Sequence, residues 1–323
     1  MRKLIVVSFM FCSIIALAQT NKNAIEENHT LLLTQDIDHF WDAFNHLKKC
    51  TSYQDSVYCL RSMYFEKRTT GFKEFISKYN YTPQDFVNSI SKQPKFFKSV
   101  RNNTLEVKNI QNRIELFFTE LKEYLPEYKP LTICFLISPL QCGGTALKNY
   151  LIIGTEIIAS TTQVDLSEFG TGIWSKVLAI NTNVQENIIF VVAHETIHDL
   201  QVNADFNNSE LLNRCLIEGS ADFLAEFFTG VKPNHYLYDY GDKHEHDLWS
   251  KLKNALENNE NTDNWMYNID RVEDGVPADL GYYFGFRIVE SYYKNSIDKN
   301  KAIYEIIQMK SPKEFLEKSL YGN

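Results

Sequence analysis

FVVAHETIHDLQ, Phe190 to Gln201, sets two histidines four residues apart with a glutamate directly after the first. A helix turns about 100° per residue, so His194 and His198 leave one face a single turn apart, close enough for both rings to reach one ion. Glu195 sits one step further round, where it can contact water at an open metal position without filling that position itself. The same run also reads as an ordinary core helix, because Ile188, Ile189, Val191, Val192, Ala193 and Ile197 are apolar in any case. Asn183, with Glu186 three residues on, has the pattern of a capping box at its start.

A catalytic zinc takes three protein ligands and leaves the fourth place to water, so a third ligand is needed. Twenty residues after His198 the chain reads LLNRCLIEGSADFLAEFF, with Glu218 and Asp222 again four apart on an expected helix. Ser209 is the expected N-cap and Gly230 the expected stop. Gly219, Ser220 and Ala221 are small, which would let this helix approach the first closely enough for Glu218 to become the third ligand. Asp222, one turn further, can accept the free ring N–H of a ligating histidine and fix its tautomer. Taken without those neighbours, Glu218 is a solvated acid on an amphipathic helix.

MRKLIVVSFMFCSIIALAQT has a basic start, an apolar stretch and an Ala16-Leu17-Ala18 exit, which predicts a signal peptide over residues 1–18. Export then implies a periplasmic or secreted protein. Cys12 raises lipid attachment, and Phe11 speaks against it, since a bulky residue stands where such a signal wants a small one. No later segment reaches about 20 apolar residues, so no stable membrane insertion is expected. Removing Arg2 and Lys3 with the leader takes the net charge from −8 to −10, and no basic run remains to bind nucleic acid. Five cysteines follow the leader, and local pairs Cys50 with Cys59 and Cys134 with Cys142 are open to them in an oxidising compartment. Cys215 would then be left as a buried helix residue.

The residues from about 30 to 128 read as helices. Thr34 opens QDIDHFWDAFNHLKK, Thr82-Pro83 opens QDFVNSISK, and LEVKNIQNRIELFFTELKEYL carries one apolar stripe. Leu131 to Ser138 and Tyr150 to Ala159 are β-branched and apolar, which predicts two strands with Gly143-Gly144 in their connection. A polar loop carrying His235, His244 and His246 is expected after Gly230, with helices to the end and Ser311-Pro312-Glu314 starting the last. KHEHD around His244 and His246 has the look of a second metal cluster, although residues two apart on a loop are usually solvated. Gly281 and Gly285 suit close helix packing. No repeat or linker divides residues 19–323, which read as one α+β unit: a helical part, a sheet-and-metal part over about 130–230, and a helical part from about 231.

H-E-x-x-H followed by E-G-x-A-D resembles the gluzincin group of zinc peptidases. LKEYLPEYKPLTICFLI, CGGTALKNYLIIGTEII, AHETIHDLQ, IEGSADFLAEF and PADLGYYFGFRIVESYY, in that order, are similar to a bacterial family of predicted zinc-dependent proteases related to the gliding-motility lipoprotein B family. The resemblance implies a zincin-like fold, mainly helical with a small mixed sheet beside the metal helix. It also implies zinc on His194, His198 and Glu218, Glu195 as general base, Asp222 behind the ligands and a peptide substrate. Proteases of this kind often use a tyrosine or histidine on the charged transition state, which points to Tyr282. A peptide would lie antiparallel along a strand edge, expected in the Tyr150 to Ala159 segment. Two rivals stand beside this reading: a non-catalytic envelope or gliding-associated protein on a zincin scaffold, and a structural metal site with four protein ligands.

Overall fold

Aromatic side chains at helical spacing organise the first part of the chain. The computed structural model describes residues 31–170, 173–273 and 275–322, so the expected leader over 1–18, with Cys12, lies outside the described residues. Helix α1 (Gln35–Leu47) buries Ile37, Phe40, Trp41 and Ala43 on one face. Helix α2 (Tyr53–Leu60) runs into a π-helical turn, Arg61–Phe65, that buries Tyr64 and Phe65. Helices α3 (Thr70–Tyr79), α4 (Pro83–Lys92) and α5 (Pro94–Thr104) add Phe72, Phe75, Phe86, Phe96 and Phe97 to the same cluster. Thr82 and Asp85 form the capping box that starts α4. The Tyr64 ring sits at the centre, 4.4 Å from Phe72 between ring centroids, and its hydroxyl donates to the Ile137 carbonyl at 2.7 Å, tying the helices to the sheet.

The stripe expected as one helix from Leu105 divides into a 3-10 turn, Leu105–Asn109, and helix α6, Gln111–Tyr124. Val107 and Ile110 are three apart and both buried, so the tighter turn keeps them on one face before Ile114, Phe117 and Leu121 resume the α period.

The sheet has four strands, not two: β1 (Leu32–Leu33), β2 (Thr132–Leu136), β3 (Gly144–Leu147) and β4 (Tyr150–Gly154), in the order β1-β2-β4-β3. β1 and β4 both run parallel to β2, and β3 pairs antiparallel with β4. The expected connection containing Gly144 is therefore itself a strand. The expected substrate edge is corrected as well. β4 is paired on both sides and ends at Gly154, where helix α7 (Thr155–Ile158) begins, while β3 is the antiparallel edge. YLIIG is an unbroken apolar run, the pattern of an interior strand, whereas β3 is half-buried throughout. Behind the sheet, the fully buried Glu156 carboxylate accepts from Ser138 N, Ser138 Oγ and Leu140 N, and burial pushes its pKa up to about 7.

Helix α8 (Ile173–Val177) leads to α9 (Val184–Leu200), whose first turn is capped by Asn183 accepting from Glu186 N at 3.2 Å. Helix α10 (Leu211–Thr229) starts after Glu210, not Ser209, and ends at Gly230 with φ +67°. The expected polar loop is helix α11, His235–Glu257. Leu237, Gly241, Leu248, Leu252 and Ala255 form its buried stripe, so the charged residues that suggested a loop are its solvent face. Helices α12 (Leu280–Asn295), α13 (Lys299–Ile307) and α14 (Pro312–Ser319) follow, the last capped by Ser311 as expected.

Gly219 and Gly285 let α10 and α12 touch through their backbones. A Cβ at Gly219 would lie 2.1 Å from Phe286 N, and one at Gly285 would lie 1.7 Å from Cys215 O. Of the small residues between Glu218 and Asp222, Gly219 thus serves this contact with α12, while Ser220 faces α9, accepting from Gln201 Nε2 at 2.8 Å. All five described cysteines are free thiols, so neither of the local pairs that the spacing leaves open is formed here. Cys59 Sγ points to Ala43 O, with the Cys50 thiol beside it but not bonded to it, and Cys134 Sγ points to Asp36 and Thr69.

Candidate metal centre

Helix α9 carries His194 and His198 on one face, and α10 packs across it carrying Glu218 and Asp222. His198 Nε2 is 3.0 Å from His194 Nε2 and 3.1 Å from Glu218 Oε2, and His194 Nε2 is 3.5 Å from that same oxygen. Four ligands placed tetrahedrally about 2.0 to 2.1 Å from a zinc ion stand about 3.3 Å apart. The triangle formed by these three atoms has that size, so the donor set fits the ion. Among the described residues this is the one group of three or more such side chains whose ligand atoms gather within 4.8 Å.

The hydrogen bonds behind the rings point both Nε2 lone pairs at the same place. His194 Nδ1 lies 2.8 Å from Asp222 Oδ1, which can only accept from it when ionised. His198 Nδ1 lies 2.8 Å from Gln201 Oε1, and that amide is oriented by its Nε2 donating to Ile217 O and Ser220 Oγ. Each ring therefore carries its proton on Nδ1 when neutral. Two lone pairs and a carboxylate oxygen then face one another, an arrangement that a shared cation or a proton on the rings would satisfy. With protons alone, burial works against the charge on His194, but hydrogen bonds to Asp222 and Glu218 overcome it and hold the imidazole well above its ordinary range. Burial likewise acts to raise Glu218, and the two histidines hold its carboxyl well below the usual range.

Glu195 stands at the mouth of this triangle against the first residue of the edge strand. A Cβ on Gly144 would lie 2.7 Å from Glu195 Cγ and Oε1, so the glycine makes room for the carboxylate. Tyr282, in the first turn of α12, lies with its ring nearly parallel to His194, 6.4 Å between centroids. Burial first, and then Glu218, raise its hydroxyl well above the ordinary tyrosine value, which keeps it a donor. Neighbouring Tyr283 points away and donates to Asp242. The six residues singled out in the sequence, His194, Glu195, His198, Glu218, Asp222 and Tyr282, are thus brought together. His244 and His246 are not part of the group: His246 is almost fully exposed beside Asp247, and the His244 ring packs on Tyr240.

Three supports escaped the sequence reading. The Tyr267 hydroxyl donates to Glu218 Oε1 at 2.7 Å, leaving Oε2 to face the histidines. Tyr238 on α11 donates to Asp222 Oδ2 at 2.8 Å. Gln201 orients His198, and its place three residues after that histidine was the one available local signal. Tyr267 and Asp279 both adopt left-handed backbone, φ +54° and +64°, and Tyr267 N donates to the Asp279 carboxylate. Gly281 N donates to Trp265 O at 2.8 Å, so the loop is pinned to the start of α12.

The centre opens into a cleft of about 470 Å³, walled by Thr145 and Ala146 of β3 on one side and by Phe206 and Arg214 on another. A second cavity of about 510 Å³ adjoins it, sharing Tyr282 with its lining and reaching Asp222 behind the histidines. Its other walls are mostly apolar and include Val177, Ile180, Phe190, Leu237, Val272 and Val276. No helix among the described residues is long and apolar enough to cross a membrane. The profile of the family described as gliding motility protein GldB matches residues 20–323. No curated protein and no solved structure matches the chain.

Proposed function

The chain belongs to the family of the gliding motility protein GldB; we propose from that membership an envelope protein of the gliding machinery, and from the geometry of its site one that carries a zincin-like zinc centre and hydrolyses peptide bonds. The observation that carries the chemistry is the convergence of His194 Nε2, His198 Nε2 and Glu218 Oε2 beside a free glutamate and a strand edge. A zinc ion held by those three atoms would polarise the scissile carbonyl and acidify water at the open position. Glu195 takes the proton of the attacking water and passes it to the leaving amine. Tyr282 donates its hydroxyl to the carbonyl oxygen as negative charge develops there. The unpaired side of Gly144–Leu147 offers main-chain hydrogen bonds to an antiparallel peptide, and the apolar cavity behind Tyr282 takes a bulky side chain.

The family membership fits a lipoprotein held in the cell envelope, in which Cys12 of the leader would bear the lipid despite Phe11 before it. It also favours a second reading, since its description names gliding and no hydrolysis: a non-catalytic gliding-associated protein that keeps the zincin-like scaffold. Glu195→Gln separates the two. It preserves shape but cannot take the proton, so zinc content and fold should stay while cleavage of a peptide library falls by at least about 100-fold. If the wild-type protein cleaves nothing and cells carrying Glu195→Gln glide like wild type, hydrolysis is abandoned and the scaffold reading stands.

A further inference from the structure

Among the described residues lining the metal cleft, Arg214 is the one with a permanent positive charge. It lies on α10 one turn before Glu218, so the two side chains leave the same face of the helix. The guanidinium is braced on two sides: Nη1 donates to the Phe206 carbonyl at 3.2 Å, and its carbon sits 5.5 Å from the centre of the Tyr267 ring. Tyr267 is the residue whose hydroxyl holds Glu218, so Arg214 has a fixed position relative to the metal triangle.

No carboxylate among the described residues pairs with this arginine. Arg287 provides the contrast, because it too lies over a tyrosine ring, that of Tyr283, yet its guanidinium is taken up by Asp242, Glu245 and Glu290. A guanidinium has five N–H donors in a planar fork that matches a carboxylate, and only one donor of Arg214 is engaged. Elsewhere the cleft presents Glu195 and Glu218, which repel an anion. Away from the metal position, a substrate carboxylate entering it therefore has a single side-chain partner of opposite permanent charge.

We propose that Arg214 anchors a carboxylate of the peptide substrate, so that the cleft selects peptides bearing a free C-terminal carboxylate or an acidic side chain near the scissile bond. The assignment rests on the peptide-binding reading of the site, and its test uses binding so that it can fail separately from hydrolysis. The zinc-loaded Glu195→Gln protein is titrated with fluorescent peptides made in pairs, C-terminal acid against amide and internal Glu against Gln. The carboxylate member of at least one pair should bind about tenfold more tightly, the scale of one well-placed charge-assisted hydrogen-bond pair. The pair that discriminates identifies the source of the carboxylate. Adding Arg214→Met, which keeps a long side chain over Tyr267 but no charge, should abolish the difference with zinc content intact. Arg214→Lys should retain part of it. Equal binding within both pairs, no binding of any peptide, or discrimination that survives Arg214→Met overturns the proposal. Discrimination without any cleavage by the wild-type protein leaves the anchor in place and removes the hydrolytic reading instead.

Discussion

Asp222→Asn takes one negative charge from behind His194 while keeping the size of the side chain. The wild-type carboxylate accepts two hydrogen bonds of 2.8 Å, from His194 Nδ1 and from the Tyr238 hydroxyl. Asparagine can keep its oxygen towards the ring, and its amide then donates to Tyr238, whose hydroxyl rotates to accept. The contacts survive, and what is lost is the difference between a charge-assisted and a neutral hydrogen bond, about 1 to 1.5 kcal/mol. That corresponds to roughly a tenfold weaker zinc affinity, the lower end of the 10- to 100-fold usual for partners behind metal ligands. The same carboxylate also helps hold the metal-free His194 imidazole well above its ordinary pKa, and zinc must displace that proton. Losing Asp222 weakens proton competition too, so the affinity deficit should shrink at low pH and grow as pH rises. Competition against a chromogenic chelator at pH 6 and pH 8.5, with circular dichroism to show an intact fold, measures both effects. Affinity within about twofold of wild type at both pH values would refute the role given to Asp222.

Tyr267→Phe removes the hydrogen bond to Glu218 Oε1 and should weaken zinc binding by about tenfold with little change in the melt; an unchanged affinity would leave Tyr267 as packing alone. Gly219→Ala puts a methyl 2.1 Å from Phe286 N, so α10 and α12 must separate by about 1 Å, at a cost above about 2 kcal/mol. Urea unfolding reads that loss, and a neutral result would contradict the backbone contact. Burial raises the pKa of Glu156 in the folded state to about 7 from its ordinary 4.5, so the folded protein holds that proton more tightly than the unfolded chain. Its contribution is fully present below the unfolded value and fades as pH rises through the folded one, by at most about 3 kcal/mol. Glu156→Gln should flatten this fall between pH 5 and 8, and parallel stability curves for the two proteins would count against it.

The histidine pair was legible from the sequence because its geometry is local. Four residues is one turn, so His194 and His198 share a face however the rest of the chain folds, and the same holds for Glu218 and Asp222 on α10. The caps at Asn183, Thr82 and Ser311 are equally local, and each appears in the structure. Helix α11 is not legible in the sequence because a long amphipathic helix with a charged outer face has the composition of a loop until the stripe from Leu237 to Ala255 finds something to bury against. The edge strand was missed for a related reason. GTAL is only four residues long, and it is a strand because β4 lies beside it.

What the sequence determined by itself is which residues stand one helical turn apart, and therefore which pairs can act together: His194 with His198 and Glu218 with Asp222. What only the tertiary structure decided is which pairs meet. Glu218 reaches His198 because Gly219 and Gly285 let α10 seat against α12 while it crosses α9, and Tyr267 reaches Glu218 across 49 residues because two left-handed turns and Asp279 aim it there. Helical spacing is set by backbone hydrogen bonds within a few residues, so it is written in the sequence. The meeting of distant side chains depends on how whole helices pack, and no short stretch of the chain encodes that.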